Sequence, residues 1–187
     1  MEHFYQTIDG WFDFQTVYDF AVSGFKHDFG HFVEIGCWQG KSSSYLAVNI
    51  INSEKNIKFD CVDTWEGSIE HQEQELVKSN KLFDVFTKNM EPVKGYYNAI
   101  KKPSVEAAKL YEDKSLDFVF VDASHEFEPV YEDLTAWYPK VKDGAIIAGH
   151  DYYPPPNEND VHRAANKFFR EKNKQIYVVG MSFLVIK

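Results

Sequence analysis

The chain has 187 residues, a formal net charge of −9, 44% hydrophobic, 17% aromatic and 26% charged residues. That length suits one domain spanning 1–187, and the apolar share with mixed charge excludes disordered and fibrous classes. The negative field, with no Lys/Arg run to reverse it locally, argues against nucleic acid and anionic lipid surfaces as partners.

The opening "MEHFYQTIDGWFDF" lacks the basic and apolar regions of a secretory leader, and no apolar run nears the roughly 18 residues that span a bilayer. The expectation is a cytoplasmic protein without a membrane segment. No repeat, low-complexity tract or linker marks a domain boundary. Cys37 and Cys61 lie beside apolar runs and read as small packing residues rather than a disulfide or metal pair.

The first strand-length run, "HFVEIGCW", leads into Glu34-x-Gly36-x-x-x-Gly40 at a strand-to-helix turn. Glycine there tolerates positive φ and lets backbone N–H groups approach a ligand. The G-x-G-x-x-G spacing of a dinucleotide site is absent, and an acid ahead of the turn favours a ligand with a positive group. Ser42, Ser43 and Ser44 offer N-cap hydroxyls for a helix whose apolar stripe is Leu46, Ala47, Ile50 and Ile51.

The second run, "IKFDCVD", ends in Asp63, 23 residues past Gly40, near the spacing at which a carboxylate receives the ribose hydroxyls of an adenosine ligand. Asp60, inside the same run, is expected at the solvent face or an edge. Residues 66–98 contain the charged run "EHQEQE" and a helix pattern at Leu82, Phe83, Phe86 and Met90; a surface helix is favoured over a lid.

The third run, "LDFVFVDA", ends in Asp122, with His125 three residues on. Pro129 suits a first helical turn, and Val130, Leu134 and Trp137 share one face behind it. The fourth run, "GAIIAG", delivers His150 and Asp151. Two hard oxygen donors from adjacent strand ends, Asp122 and Asp151, can hold Mg²⁺, and an imidazole of unperturbed pKa near ~6.5 at His125 suits proton abstraction. His150 is a third ligand or a donor to Asp151, and a nitrogen ligand shifts preference toward Mn²⁺ or Fe²⁺. His3, His27, His31, His71 and His162 have no comparable pattern and are expected on the surface. Trp11, Tyr152 and Tyr153 are candidates for the acceptor pocket or for packing.

"QIYVV" and "SFLVI", separated by Gly180 and its neighbours, leave no room for a crossover helix and are expected to pair antiparallel. Continuous apolar strands alternating with helices predict an α/β, doubly wound, mostly parallel sheet ending in an antiparallel hairpin.

This ordered set of motifs resembles the class I S-adenosylmethionine-dependent methyltransferases over roughly residues 10–187, and within them the macrocin-type small-molecule O-methyltransferases. The resemblance implies a seven-stranded Rossmann-like methyltransferase sheet. It implies that Glu34, Gly36, Gly40, Ser42, Asp63, Thr64, Ser104 and Asp122 bind S-adenosylmethionine, with Ser104 and Val105 bordering the adenine. The Asp-x-x-His at Asp122 and His125 would supply a metal ligand and the general base, with Asp151 and His150 completing a site for Mg²⁺ or Mn²⁺. The acceptor implied is a small hydroxylated molecule, such as a sugar or sugar-bearing metabolite; a homo-oligomer is compatible with this. The chain departs from the family pattern at Trp38, where a third Gly is common, at Lys102-Pro103-Ser104, where Gly-Asp-Ser is common, and at Tyr152, where the catechol-type enzymes carry Asn. The competing readings are an NAD(P) oxidoreductase, disfavoured by the first loop, and a non-catalytic binding protein on the same fold.

Overall fold

The computed structural model describes residues 1–68 and 71–187, so Glu70 at the head of the charged run lies outside it. In chain order the elements are α1 (Gln15–Gly24), β1 (Gly30–Ile35), α2 (Lys41–Ser53), β2 (Ile57–Asp63), α3 (Glu75–Lys78), α4 (Leu82–Asn89), β3 (Asn98–Lys101), α5 (Ser104–Ala108), β4 (Leu116–Val121), α6 (Phe127–Trp137), β5 (Val141–Gly149), α7 (Asp160–Glu171), β6 (Tyr177–Val179) and β7 (Ser182–Ile186).

The strands form one sheet in the order β3-β2-β1-β4-β5-β7-β6. β1 to β5 pair in parallel, while β7 pairs antiparallel with both β5 and β6. The predicted hairpin is therefore present, and β7 inserts beside β5 rather than at the edge. The six apolar runs of the sequence all became strands. β3 has no such run, because its four residues are half-buried or exposed at the sheet edge.

Period-2 alternation splits the core between two faces. On β1, Phe32 and Glu34 point toward α1, α2 and α4, where Phe118 and Phe120 of β4 also lie, whereas Val33, Ile35, Val119 and Val121 pack under α5, α6 and α7. The stripe on α2 is buried at Leu46, Ala47 and Ile50, and that on α6 at Val130, Leu134 and Trp137. Leu82, Phe86 and Met90 are fully enclosed while Asp84, Thr87 and Lys88 are exposed, so α4 is an amphipathic surface helix whose apolar face joins the core layer of α1 and α2. α7 is a further helix, unanticipated from the sequence: Val161, Ala164, Ala165, Phe168 and Phe169 follow helical spacing, and Asn159 caps the first turn by accepting from the His162 N–H at 3.1 Å.

Three local expectations, at Ser42 to Ser44, Asp60 and His31, differ from the structure. Ser42, Ser43 and Ser44 do not cap α2; Gly40, left-handed at φ 89°, precedes it, and the first two serine hydroxyls turn inward. Asp60 is not at a solvent face or edge but 1% exposed. It meets His31 Nε2 at 2.7 Å, accepts from Tyr111 Oη at 2.8 Å, and lies 3.4 Å from Lys58 Nζ. His31 therefore belongs to a structural network rather than the surface. Burial pushes the Asp60 carboxyl upward, but the His31 and Tyr111 hydrogen bonds and the nearby cations leave it below its ordinary value. A folded-state pKa below the unfolded one stabilises at pH above ~3.8 and loses that contribution as pH falls through the folded value. Urea melts between neutral pH and pH ~3 should show Asp60→Asn losing less stability on acidification than wild type. At neutral pH the variant should be about 1–3 kcal/mol less stable, the cost of breaking a buried charged hydrogen-bond set.

Candidate active site

Strand register sets the site. Ile35 aligns with Val62 on β2 and Val121 on β4, and Val121 with Gly149 on β5. The next residues on each strand, Gly36, Asp63, Asp122 and His150, thus emerge along one carboxyl edge, where open parallel sheets bind ligands. Ladder-like bonds continue one step beyond the strands: Gly36 N–H donates to Val62 O at 2.9 Å, Asp122 N–H to Ile35 O at 2.8 Å, and His150 N–H to Val121 O at 3.2 Å.

A cavity of about 810 Å³ opens along this edge. Gly36, Ser42, Asp63, Thr64, Ser104 and Asp122 line it, together with His125, His150 and Asp151. Glu34 and Gly40 are not among its lining residues. Glu34 is 0% exposed and accepts hydrogen bonds from Tyr18 Oη at 2.8 Å, from Ser42 Oγ at 2.5 Å and from Ser43 Oγ. Burial raises its carboxyl, and the three hydroxyls oppose that rise. Its carboxylate is thus enclosed by its own chain and anchors the β1–α2 connection from below.

Asp63 organises the same loop from the side. One carboxylate oxygen accepts from the N–H groups of Cys37 at 2.8 Å and Trp38 at 2.9 Å, and the other from Trp65 N–H at 2.8 Å. Burial pushes its carboxyl up, against the pull of these amides. Three of the roughly four acceptor positions of a carboxylate are thereby used. Trp38 adopts φ 47°, supplying without glycine the left-handed turn that the loop needs. Asp63→Ala should leave three backbone N–H groups unpaired and cost about 2–3 kcal/mol in a denaturant melt.

At the other end, Asp122, His125 and Asp151 each offer a ligand atom, all within 4.8 Å of one another. His125 Nε2 stands 2.9 Å from Asp151 Oδ2. Burial, reinforced by the Asp151 charge and opposed by His150 and His125, raises the Asp122 carboxyl to about 7. Burial also works against the Asp151 anion, but hydrogen bonds from His125 and His150 hold its carboxyl well below the ordinary range. His150 Nδ1 is 3.3 Å from Asp151 Oδ2 and 4.0 Å from Asp122 Oδ1. It therefore sits behind the cluster of three. Asp151 has φ 52°, a conformation tolerated by Asp and Asn but uncommon for other residues, and Asn159 Nδ2 holds its carbonyl at 2.7 Å.

Other residues fall differently from expectation. Tyr152 is 4% exposed and accepts from Asn166 Nδ2 at 2.9 Å, so it is a packing residue, whereas Trp11 and Tyr153 line the cavity. His71, expected on the surface, also lines it, with its ring 4.5 Å from that of Trp38. Ser104 lines the cavity while its Oγ accepts from Trp137 Nε1 at 2.8 Å. Cys37 and Cys61 are buried thiols, as the sequence indicated.

Two chemical groups can be tested against these residues. The cavity reaches from Thr64 and Ser104 past the Gly36 turn to Asp122, which suits an elongated adenosine-bearing ligand. A cluster of two carboxylates and one imidazole, in which burial and then the neighbouring Asp151 charge push Asp122 toward neutrality, suits a divalent cation.

A doubly wound sheet with one inserted antiparallel strand, and a Gly turn facing a second-strand acid, is the arrangement of the Rossmann-like methyltransferase fold. A profile described as a methyltransferase domain matches residues 33–152, and the chain belongs to that family. An uncharacterized protein of Acanthamoeba polyphaga mimivirus is 28% identical over 144 residues, covering 76% of this chain; the chain spans 61% of that relative. Among solved structures, the O-methyltransferase NovP superposes with a TM-score of 0.70 at 14% identity, covering 92% of this chain and 78% of NovP. The TDP-rhamnose 3'-O-methyltransferase of calicheamicin biosynthesis gives 0.63 at 14% identity, covering 92% and 77%. Among the described residues, no helix is long and apolar enough to cross a membrane.

Proposed function

We propose that this chain transfers the methyl group of S-adenosylmethionine to a hydroxyl of a small molecule, with a sugar or sugar-bearing metabolite as the favoured acceptor class. The observation that carries the reading is the cluster of Asp122, His125 and Asp151 beside the loop held by Asp63. The likeness to a sugar O-methyltransferase supports the acceptor class. A sulfonium donor supplies an activated methyl carbon, so no covalent enzyme intermediate is needed; alignment and removal of the hydroxyl proton remain for the protein.

Gly36, Ser42, Asp63, Thr64 and Ser104 bind the donor in this reading, with Glu34 and Gly40 holding their loop in place. His125 takes the hydroxyl proton on Nδ1 as the oxygen–carbon bond forms and the donor's carbon–sulfur bond breaks, while its Nε2, 2.9 Å from Asp151 Oδ2, donates to that carboxylate, which stabilises the imidazolium. Asp122 and Asp151, with His125 or His150, would hold Mg²⁺ or Mn²⁺. When bound, such an ion lowers the pKa of a coordinated hydroxyl.

Calorimetry with S-adenosylhomocysteine tests the core of this reading, and no detectable binding by folded protein would sink it. The metal has its own test. Chelation followed by Mg²⁺ or Mn²⁺ return should abolish and restore turnover; full activity after chelation removes the ion and leaves His125 as the sole means of deprotonation.

A further inference from the structure

The groups at the sheet edge do not complete the site. Ahead of α1, Gly10, Trp11, Asp13 and Phe14 line the cavity. This segment is tied at two points. Lys41 Nζ, in the first turn of α2, donates to the Gly10 carbonyl at 2.9 Å, and Asp13 Oδ1 lies 2.7 Å from His150 Nε2 at the end of β5.

The second tie has an unusual environment. The His150 side chain is 9% exposed, with Phe14 packed at 4.7 Å between ring centroids. Carboxylates stand on both nitrogen sides of the ring, Asp13 at Nε2 and Asp151 at Nδ1. The Nε2 contact is short but lacks hydrogen-bond alignment, so packing and charge fix the ring rather than an ideal donor–acceptor line. His150 immediately precedes Asp151, whose left-handed backbone is pinned by Asn159. With the backbone held, the direction of the Asp151 carboxylate is set by the side chains that meet it: His125 on one side, His150 on the other, and the Tyr153 hydroxyl.

We propose that Asp13 is a positioning residue which fixes the His150 imidazole and, through it, the Asp151 carboxylate, making the N-terminal segment a working part of the catalytic centre. Its catalytic meaning rests on the proposed function; the link from Asp13 to His150 does not. An exposed ion pair of this length is ordinarily worth little. Here one partner is nine-tenths buried and wedged between two acids, so removing Asp13 frees the ring to turn away from Asp151.

The test uses the full chain with Asp13→Asn, and Asp13→Ala as a second variant should the first fail to fold. At fixed pH, the ¹H–¹⁵N ring correlations of His150, assigned by their loss in His150→Gln, should move. Mn²⁺ affinity should fall about 10-fold, the usual scale for losing a partner behind a metal ligand, while S-adenosylhomocysteine affinity and melting temperature stay unchanged. Unmoved His150 signals in a folded variant overturn the assignment. Moved signals with unchanged Mn²⁺ affinity overturn the step from His150 to Asp151. A wild-type chain that binds no Mn²⁺ overturns the metal reading of the proposed function, and the His150 signals alone then decide the role of Asp13.

Discussion

Replacing His125 with Ala is expected to lower kcat by about 10²- to 10⁴-fold, the range general-base catalysis supplies, while leaving S-adenosylhomocysteine binding intact. The expectation rests on position. His125 lies in the loop between β4 and α6, its side chain 40% exposed and its Nε2 2.9 Å from Asp151. The residues assigned to the donor lie toward β1 and β2 on the other side of Asp122. Removing a partly exposed ring at a loop should change stability by less than about 1 kcal/mol, so a loss of turnover would not be a loss of fold. The informative comparison is with Asp151→Asn. Asn tolerates the left-handed backbone at this position, so that variant removes the charge behind the imidazole, and with it one anionic donor of the proposed metal cluster, without disturbing the turn. If the base reading is right, both variants lose kcat and keep the product complex. Full turnover by His125→Ala would remove the base and leave metal acidification as the sole route to the alkoxide.

The parts of this site that could be read from sequence share a physical cause. Buried parallel strands demand continuous apolar runs, and a polar residue that ends such a run is placed at the carboxyl edge by the sheet itself. Asp63, Asp122 and His150 each follow or close a run of this kind, and the register of β1, β2, β4 and β5 brings them level. What sequence did not show were contacts made across layers. Glu34 reads as an acid facing a ligand until Tyr18 from α1 and two serines from α2 are seen closing over it. Asp60 occupies a strand position like any other polar interruption, and only folding brings His31 and Tyr111 to it. Asp13 comes from an irregular segment and His71 from a short helical turn, neither with a periodicity to place it, yet both line the cavity. α7 is the exception, since its helical spacing and Asn159 cap were present in the sequence.

Gly36→Ala should be the most damaging single-methyl change in the chain. The turn after β1 has φ 88° at Gly36, a region costly for any residue with a side chain. The space is also taken: an added Cβ would stand 2.0 Å from the Asp122 carbonyl oxygen and 2.4 Å from its carbonyl carbon. Those atoms are backbone, fixed by the Asp122 N–H bond to Ile35 O at 2.8 Å, and cannot rotate away as a flexible side chain would. The glycine is therefore required by the neighbouring strand end, whatever it also offers a ligand. Backbone strain of about 1 kcal/mol adds to an overpacking cost of about 1–3 kcal/mol, so the variant should unfold about 2–4 kcal/mol more easily. Forcing β1 and β4 apart at this level moves the amides that meet Asp63 and the carboxylate of Asp122 together, so under the proposed function S-adenosylhomocysteine and Mn²⁺ binding should fall together. Gly40→Ala provides the contrast. It also has positive φ, at 89°, but its Cβ would meet the flexible Met90 side chain and the Phe86 ring at 3.1 Å, so denaturant melts should rank it clearly milder than Gly36→Ala. Equal destabilisation by the two would mean that backbone conformation, and not the closeness of Asp122, governs the turn.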